Sequence, residues 1–212
     1  SVFSVDLCAY AVMSNHYHLV VKLDPKQAIP WSDDEVLRRW TSLFKGTLLV
    51  QRHIAEADLT LPEQDTLLST IAIYRQRLGS LSWFMKCLNE PIARKANAED
   101  GCTGHFWEAR FHSQALITER ALICAMAYVD LNPVRAGIAK SPGSSQYTSY
   151  RARTKVIDNE ELISAIAETV ASGELRRFDR PLRALLPFSD QTLSIDSDCL
   201  PITAGDYQEL VA

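Results

Sequence analysis

The sequence predicts an α+β protein, on three observations. Two short apolar segments near the start are separated by the turn-like pair Ser14-Asn15. Helix-start signals then recur at Ser32, Thr60 and Ser80, and a long amphipathic pattern opens at Glu119. Strands paired locally, with helices segregated from them in sequence, make an antiparallel sheet with helices packed on it.

Val5 to Met13 (VDLCAYAVM) reads as a buried strand and His16 to Leu23 (HYHLVVKL) as a second, ended by Asp24-Pro25. Together they form a hairpin. Ser32-Asp33-Asp34-Glu35 is a capping box opening a helix that runs through Leu37, Trp40, Leu43, Phe44, Leu48 and Ile54. Thr60-Leu61-Pro62-Glu63 is a second box, with Pro in the first turn, opening a helix to about Leu78. Gly79 stops it. Ser80 then caps a helix with Leu81, Phe84, Met85, Leu88 and Ile92 inward, and Gly101 and Gly104 break the chain.

His105 to Thr118 alternates apolar and polar residues in part, which predicts one or two further strands. A helix from Glu119 offers Leu122, Ile123, Met126, Ala127 and Leu131 for packing, with Pro133 and Gly137 marking its end region. The tail from Val156 carries one helix (Glu160 to Ala171) and then an acidic, Pro-punctuated stretch. The expected organisation is a domain over 1–155 and an acidic extension over 156–212.

Composition narrows the class. Hydrophobic residues make up 47% of the 212 and charged ones 23%, so the chain is neither disordered nor fibrous. The clearest apolar run, Ala121 to Val129, is too short to span a bilayer. Five cysteines, widely spaced and without a CxxC pair, fit free thiols in a reducing cytoplasm. The net charge of −4 conceals a division: residues 72–155 carry 12 basic and 6 acidic side chains, against a balance of −3 before and −7 after. A basic middle permits a phosphate-binding face, although solvated helix faces give the same count.

Two histidines and two residues of the later helix carry the chemistry. His16 and His18 are two apart on a strand, so they project from one face and can supply two ligands to a divalent metal. Such pairs are also common as plain surface or core histidines. Tyr128 and Asn132 are four apart on a helix, in a stripe extended by Cys124 and Arg135. Alone, Tyr128 reads as a packing residue and Asn132 as helix-end punctuation before Pro133. Together the four match what phosphoryl transfer to a tyrosine needs. A phenol with a pKa near 10 is a poor nucleophile unless its target is polarised. A cation held by two imidazoles and the Asn132 amide would polarise a phosphate beside Tyr128.

AYAVMSNHYHLVV (Ala9 to Val21) resembles the His-hydrophobic-His strand of the HUH endonuclease superfamily, and MAYVDLNPVRAGI (Met126 to Ile138) resembles the nucleophile helix of its single-tyrosine transposases. The closest resemblance is to the REP-associated tyrosine transposases. GHFWEARFHSQAL (Gly104 to Leu116), SSQYTSYRAR (Ser144 to Arg153) and LPITAGDYQELV (Leu200 to Val211) are similar to further segments of that family. The resemblance implies a ferredoxin-like (palm) HUH fold. It also implies Tyr128 as nucleophile, His16, His18 and Asn132 as metal ligands, and Mg²⁺ or Mn²⁺ as cofactor. The reaction implied is nicking and rejoining of single-stranded DNA, at hairpin sites, through a 5′-phosphotyrosine intermediate, as in DNA transposition.

Arg110, Arg120, Arg135, Arg151 and Arg153 are the candidates for contacts to the DNA backbone, and Phe106 and Trp107 for base stacking. Eight residues precede Ala9 where the family carries a further strand and helix, and the chain ends within a continuing motif. The expectation is therefore a truncated sheet with one edge open to pairing, and a monomer or a homodimer. Two other readings stand beside the transposase: a non-catalytic single-strand or hairpin DNA-binding protein, and a metal hydrolase in which Tyr128 only packs.

Overall fold

The structure, a computed structural model, describes residues 2–154, 185–191 and 198–212. Among these the architecture is mixed α+β, with seven α-helices and one two-stranded antiparallel sheet. The helix expected over Glu160 to Ala171 lies outside the described residues. No described helix is long and apolar enough to cross a membrane.

The chain forms two compact units, each drawn from separated segments: Ser1–Val5 with Leu23–Gln114, and Asp6–Lys22 with Ala115–Ala212. The division thus runs differently from the sequential split at 155/156. Strand β1 (Val5–Val12) and strand β2 (Tyr17–Leu23) form the expected hairpin, belonging almost wholly to the second unit.

In the first unit, Ser32 Oγ accepts the backbone N–H of Glu35 at 3.2 Å and opens α1 (Asp33–Thr41). The single helix expected from Ser32 to Ile54 is two helices. Gly46 sits at φ +73°, where a Cβ would come within 3.0 Å of Val50 Cγ1, and Thr47 caps a new helix, α2 (Leu48–Ile54), at Val50 N–H. Helix α1 ends at Thr41 with Ser42 still in the right-handed region, so the left-handed Gly46 shapes the loop, and the N-cap at Thr47 starts the second helix.

The second box forms as expected. Glu63 accepts from both the backbone N–H and the hydroxyl of Thr60 (2.8 and 3.0 Å), opening α3 (Leu61–Leu78). Helix α4 (Leu81–Glu99) follows Gly79-Ser80. The core of this unit is built from Val36, Leu37 and Trp40 of α1, Leu67, Ile71, Tyr74 and Leu78 of α3, and Met85 of α4. The indole of Trp40 stacks on Tyr74, with centroids 4.1 Å apart and planes 11° off parallel. Ile92, expected inward on α4, is exposed.

The strands expected over His105 to Thr118 do not form, since this segment joins no ladder. Its period-2 alternation fails at the adjacent pairs Phe106-Trp107 and Leu116-Ile117, which cannot share one strand face. The Trp107 indole N–H instead donates to the Asn89 carbonyl at 3.0 Å, while Ile117 is left in solvent.

In the second unit, helix α5 (Glu119–Arg135) packs on the hairpin. Met126, Ala127 and Val129 meet Cys8, Ala9 and Ala11 of β1 and Val20 of β2. Tyr207 and Val211 of the short C-terminal helix (Ala204–Val211) and Leu186, Phe188 and Leu200 complete this core. Burying a side chain such as Met126, which has no exposed surface, contributes about 1.5–3 kcal/mol. The other edge of β1 is not open, contrary to expectation. Val12 N–H donates to the Tyr147 carbonyl, Tyr10 N–H to Ser149 Oγ at the start of α6 (Ser149–Thr154), and Leu186 N–H to the Leu7 carbonyl. Numbered in chain order, the C-terminal helix is α7.

Helix α5 runs through Pro133 and stops at a glycine. Gly137 (φ +69°) donates to the Val134 carbonyl at 3.0 Å and Ile138 to the Pro133 carbonyl at 2.9 Å, the paired bonds of a Schellman end. Gly137→Ala should cost about 1 kcal/mol, because a Cβ is disfavoured in the left-handed region even with open space around it. Urea unfolding checks this.

All five cysteines are free thiols, as expected. Burial pushes the Cys8 thiol up to about 11, whereas Cys102 and Cys124 are exposed. Iodoacetamide at pH 8 should therefore label Cys102 and Cys124 in the native protein and spare Cys8, as read by peptide mass spectrometry.

Candidate active site

The site begins with the hairpin turn. Met13 N–H donates to the His16 carbonyl at 2.9 Å, closing the turn over Ser14-Asn15, and β2 starts at Tyr17, one residue later than expected. His16 is therefore the last turn residue and is exposed, while His18 is half-buried inside the strand. Their rings still meet, with centroids 5.1 Å apart at 89°. His16 Nδ1 lies 2.7 Å from Asn15 Oδ1. A carboxamide oxygen can only accept, so this bond keeps the proton on Nδ1 and leaves Nε2 with its lone pair.

Helix α5 brings the other two residues. Asn132 Nδ2 lies 3.3 Å from His18 Nε2, across 114 positions of sequence. In this setting the amide donates to an unprotonated ring. Turned by half about its terminal bond, it would present Oδ1, and the two atoms would offer lone pairs to one cation. The Tyr128 ring lies one helical turn away, with its centroid 6.0 Å from that of His18, and the residue is 48% exposed. The phenol is therefore not a core packing group. The guanidinium of Arg135 lies over the same ring, 5.4 Å from its centroid.

Burial first, and the neighbouring His16 second, hold the His18 imidazole below its ordinary value. Both effects disfavour the charged form, so His18 is neutral at pH 7 and free to act as a ligand. No group of three or more His, Cys, Asp or Glu lies together among the described residues, so the protein's donors here are two imidazoles and one amide.

The candidate arginines separate. Arg135 is exposed beside Tyr128. Arg120, in the first turn of α5, is exposed. Arg110 is exposed and belongs to the first unit. Arg151 is half-buried and donates to the Gly143 carbonyl at 2.6 Å. Arg153 is taken up internally: it donates to the Cys8 carbonyl at 2.8 Å, and its guanidinium covers the Phe188 ring at 4.5 Å. A guanidinium so engaged is not a free phosphate contact, and Arg153 is set aside as a DNA-binding residue. Of the two stacking candidates, Phe106 is 43% exposed, whereas the Trp107 indole N–H is bonded to the chain.

Sequence reasoning missed the residue that holds the helix in place. Asp130 is completely buried between the two site positions. Its Oδ1 accepts from Ser149 Oγ at 2.7 Å and from Tyr150 N–H at 2.8 Å, and its Oδ2 accepts from Tyr207 Oη at 2.6 Å. This single carboxylate ties α5 to α6 and α7. The available signal was an aspartate set among Met126, Ala127, Pro133 and Val134 on an otherwise apolar face. Asn15, which orients His16, carried no signal beyond its place in a turn.

Compared with protein-family models, with curated proteins and with solved structures, the chain matches none.

Proposed function

We propose that this protein is a metal-dependent endonuclease and strand transferase that nicks and rejoins single-stranded DNA at hairpin sites through a 5′-phosphotyrosine intermediate. The reading is that of a transposase of the REP-associated tyrosine type. The observation that carries it is the 3.3 Å approach of Asn132 to His18, with the accessible Tyr128 phenol beside them. A hairpin with the nucleophile helix packed on its strands also supports the finer HUH assignment of the α+β fold.

The donor set fits a divalent cation. Two imidazoles with unprotonated Nε2 atoms and one amide suit Mg²⁺ or Mn²⁺, and the remaining positions fall to water and phosphate. Bound between His16, His18 and Asn132, such an ion would polarise a non-bridging phosphate oxygen and offset the charge that develops on it. The chain's own part is positional and nucleophilic. The phenolic oxygen of Tyr128 attacks phosphorus, a new O–P bond forms, and the bond to the 3′ oxygen breaks. The phenolic proton passes to solvent and the 3′ oxygen leaves as a hydroxyl. One phosphodiester replaces another, so a 3′-hydroxyl can reverse the step without an external energy source.

The test is a denaturing gel of labelled hairpin DNA incubated with the protein and Mn²⁺. An adduct that survives denaturation, and is lost with EDTA, is expected. Salt-sensitive binding without cleavage would point to the non-catalytic reading. His18→Ala should reduce adduct formation at least about a hundredfold, through loss of one of three ligands. The rate should hold at pH 7 and fall on acidification only below the ordinary imidazole value of about 6.5, because the His18 pKa is lowered. A rate profile from pH 5 to 8 checks the sign.

A further inference from the structure

We infer that Arg135 is a positioning residue for the Tyr128 phenol rather than a contact to the DNA backbone; the inference rests on the reading of Tyr128 as nucleophile. Residues 128 and 135 are seven apart, close to two full turns of α5, so their side chains emerge from one face. The guanidinium carbon lies 5.4 Å from the ring centroid, inside the range of cation–π attraction. Arg135 is exposed, and none of the ion pairs among the described residues involves it. Its position in the last turn is fixed by the Gly137 end and suits the negative pole of the helix. No carboxylate competes with the ring for this cation among the described residues.

This contact has work to do at a half-exposed tyrosine. Such a side chain is free to swing between rotamers, and an in-line attack needs one of them. With the His18 ring on one side and Arg135 over the ring, the Tyr128 ring is held beside the Asn132–His18 pair. The same cation acts in the rejoining step. A 3′-hydroxyl oxygen bonds to phosphorus, the bond from phosphorus to the phenolic oxygen breaks, and the electron pair stays on that oxygen. A proton from solvent then restores the phenol. A guanidinium over the ring favours the negative charge while it lasts.

A phosphate contact and a positioning contact differ in what they change. Single-turnover adduct formation with a labelled hairpin, at saturating DNA, should slow about ten- to a hundredfold in Arg135→Ala, with Kd and its salt dependence unchanged. Arg135→Lys, which keeps the charge but not the flat guanidinium, should recover part of the rate. Oxidation of Tyr128 by hydroxyl radicals, followed by mass spectrometry, reads the ring's shielding without DNA or metal and without passing through the phenolate. It should be several-fold faster in Arg135→Ala. A weakened Kd with a smaller salt slope and an unaltered saturated rate would make Arg135 a phosphate contact and overturn the inference. Equal oxidation of the two proteins would overturn it as well. If the wild-type chain forms no adduct, the nucleophile reading fails while the oxidation comparison still decides whether Arg135 holds the ring.

Discussion

Tyr128→Phe should lower adduct formation at least about 10⁴-fold and leave the fold intact. The loss is large because no neighbouring group can replace the attacking oxygen. Asn132 is an amide, and the nearest rings are the imidazoles that the proposed reading assigns to the metal. The fold should not notice. Tyr128 is half-exposed, and phenylalanine keeps the ring beneath Arg135 and beside His18, so stability should change by no more than about 0.5 kcal/mol. Gel assays of adduct yield, paired with thermal unfolding of both proteins, separate the two effects. Residual cleavage without an adduct would favour the hydrolase in which the tyrosine only packs.

Asp130→Ala should have the largest effect on stability, about 3–5 kcal/mol. The truncation strands three donors (Ser149 Oγ, Tyr150 N–H and Tyr207 Oη) in an interior that water does not reach. Asp130→Asn should cost less, about 1–2 kcal/mol, since it keeps one acceptor and presents an NH₂ group elsewhere. Burial outweighs these donors and holds the Asp130 carboxyl above its ordinary range. Its contribution is therefore complete below about pH 4, the unfolded value, and declines as the pH rises through the raised folded value. Asp130→Asn, which does not titrate, should flatten that part of the stability profile. Urea unfolding of the three proteins across pH 3 to 7 tests both size and sign. The site should suffer with the fold, because Tyr128 and Asn132 flank Asp130 on the helix it anchors.

Local signals served the sequence reading well where the local rule was also the whole rule. The capping box at Thr60, the stop at Gly79 and the turn at Ser14-Asn15 each depend on neighbours a few residues away, and each formed as read. The apolar spacing from Ser32 persists to Ile54, whereas α1 stops at Thr41 and the left-handed Gly46 followed by the Thr47 cap opens a separate helix. The partial alternation over His105 to Thr118 forms no strand, since it has no sheet edge to join. In the site, the stripe of Cys124, Tyr128, Asn132 and Arg135 was legible from helical spacing. Nothing in the spacing revealed that Arg135 would cover Tyr128, that Arg153 would turn inward to Cys8 and Phe188, or that Asp130 would gather donors from two later helices. Those contacts join residues far apart in sequence and are settled by packing.

The most direct measurement is the location of the covalent link. Protein trapped on hairpin DNA with Mn²⁺ is digested with nuclease and trypsin, and the peptide over residues 121–135, which contains Tyr128 and no internal cleavage site, is sequenced by mass spectrometry. The account predicts a residual nucleotide phosphate on Tyr128 and on no other residue. DNA cleaved in the same reaction with that peptide unmodified, or with the nucleotide on a different side chain, would contradict it.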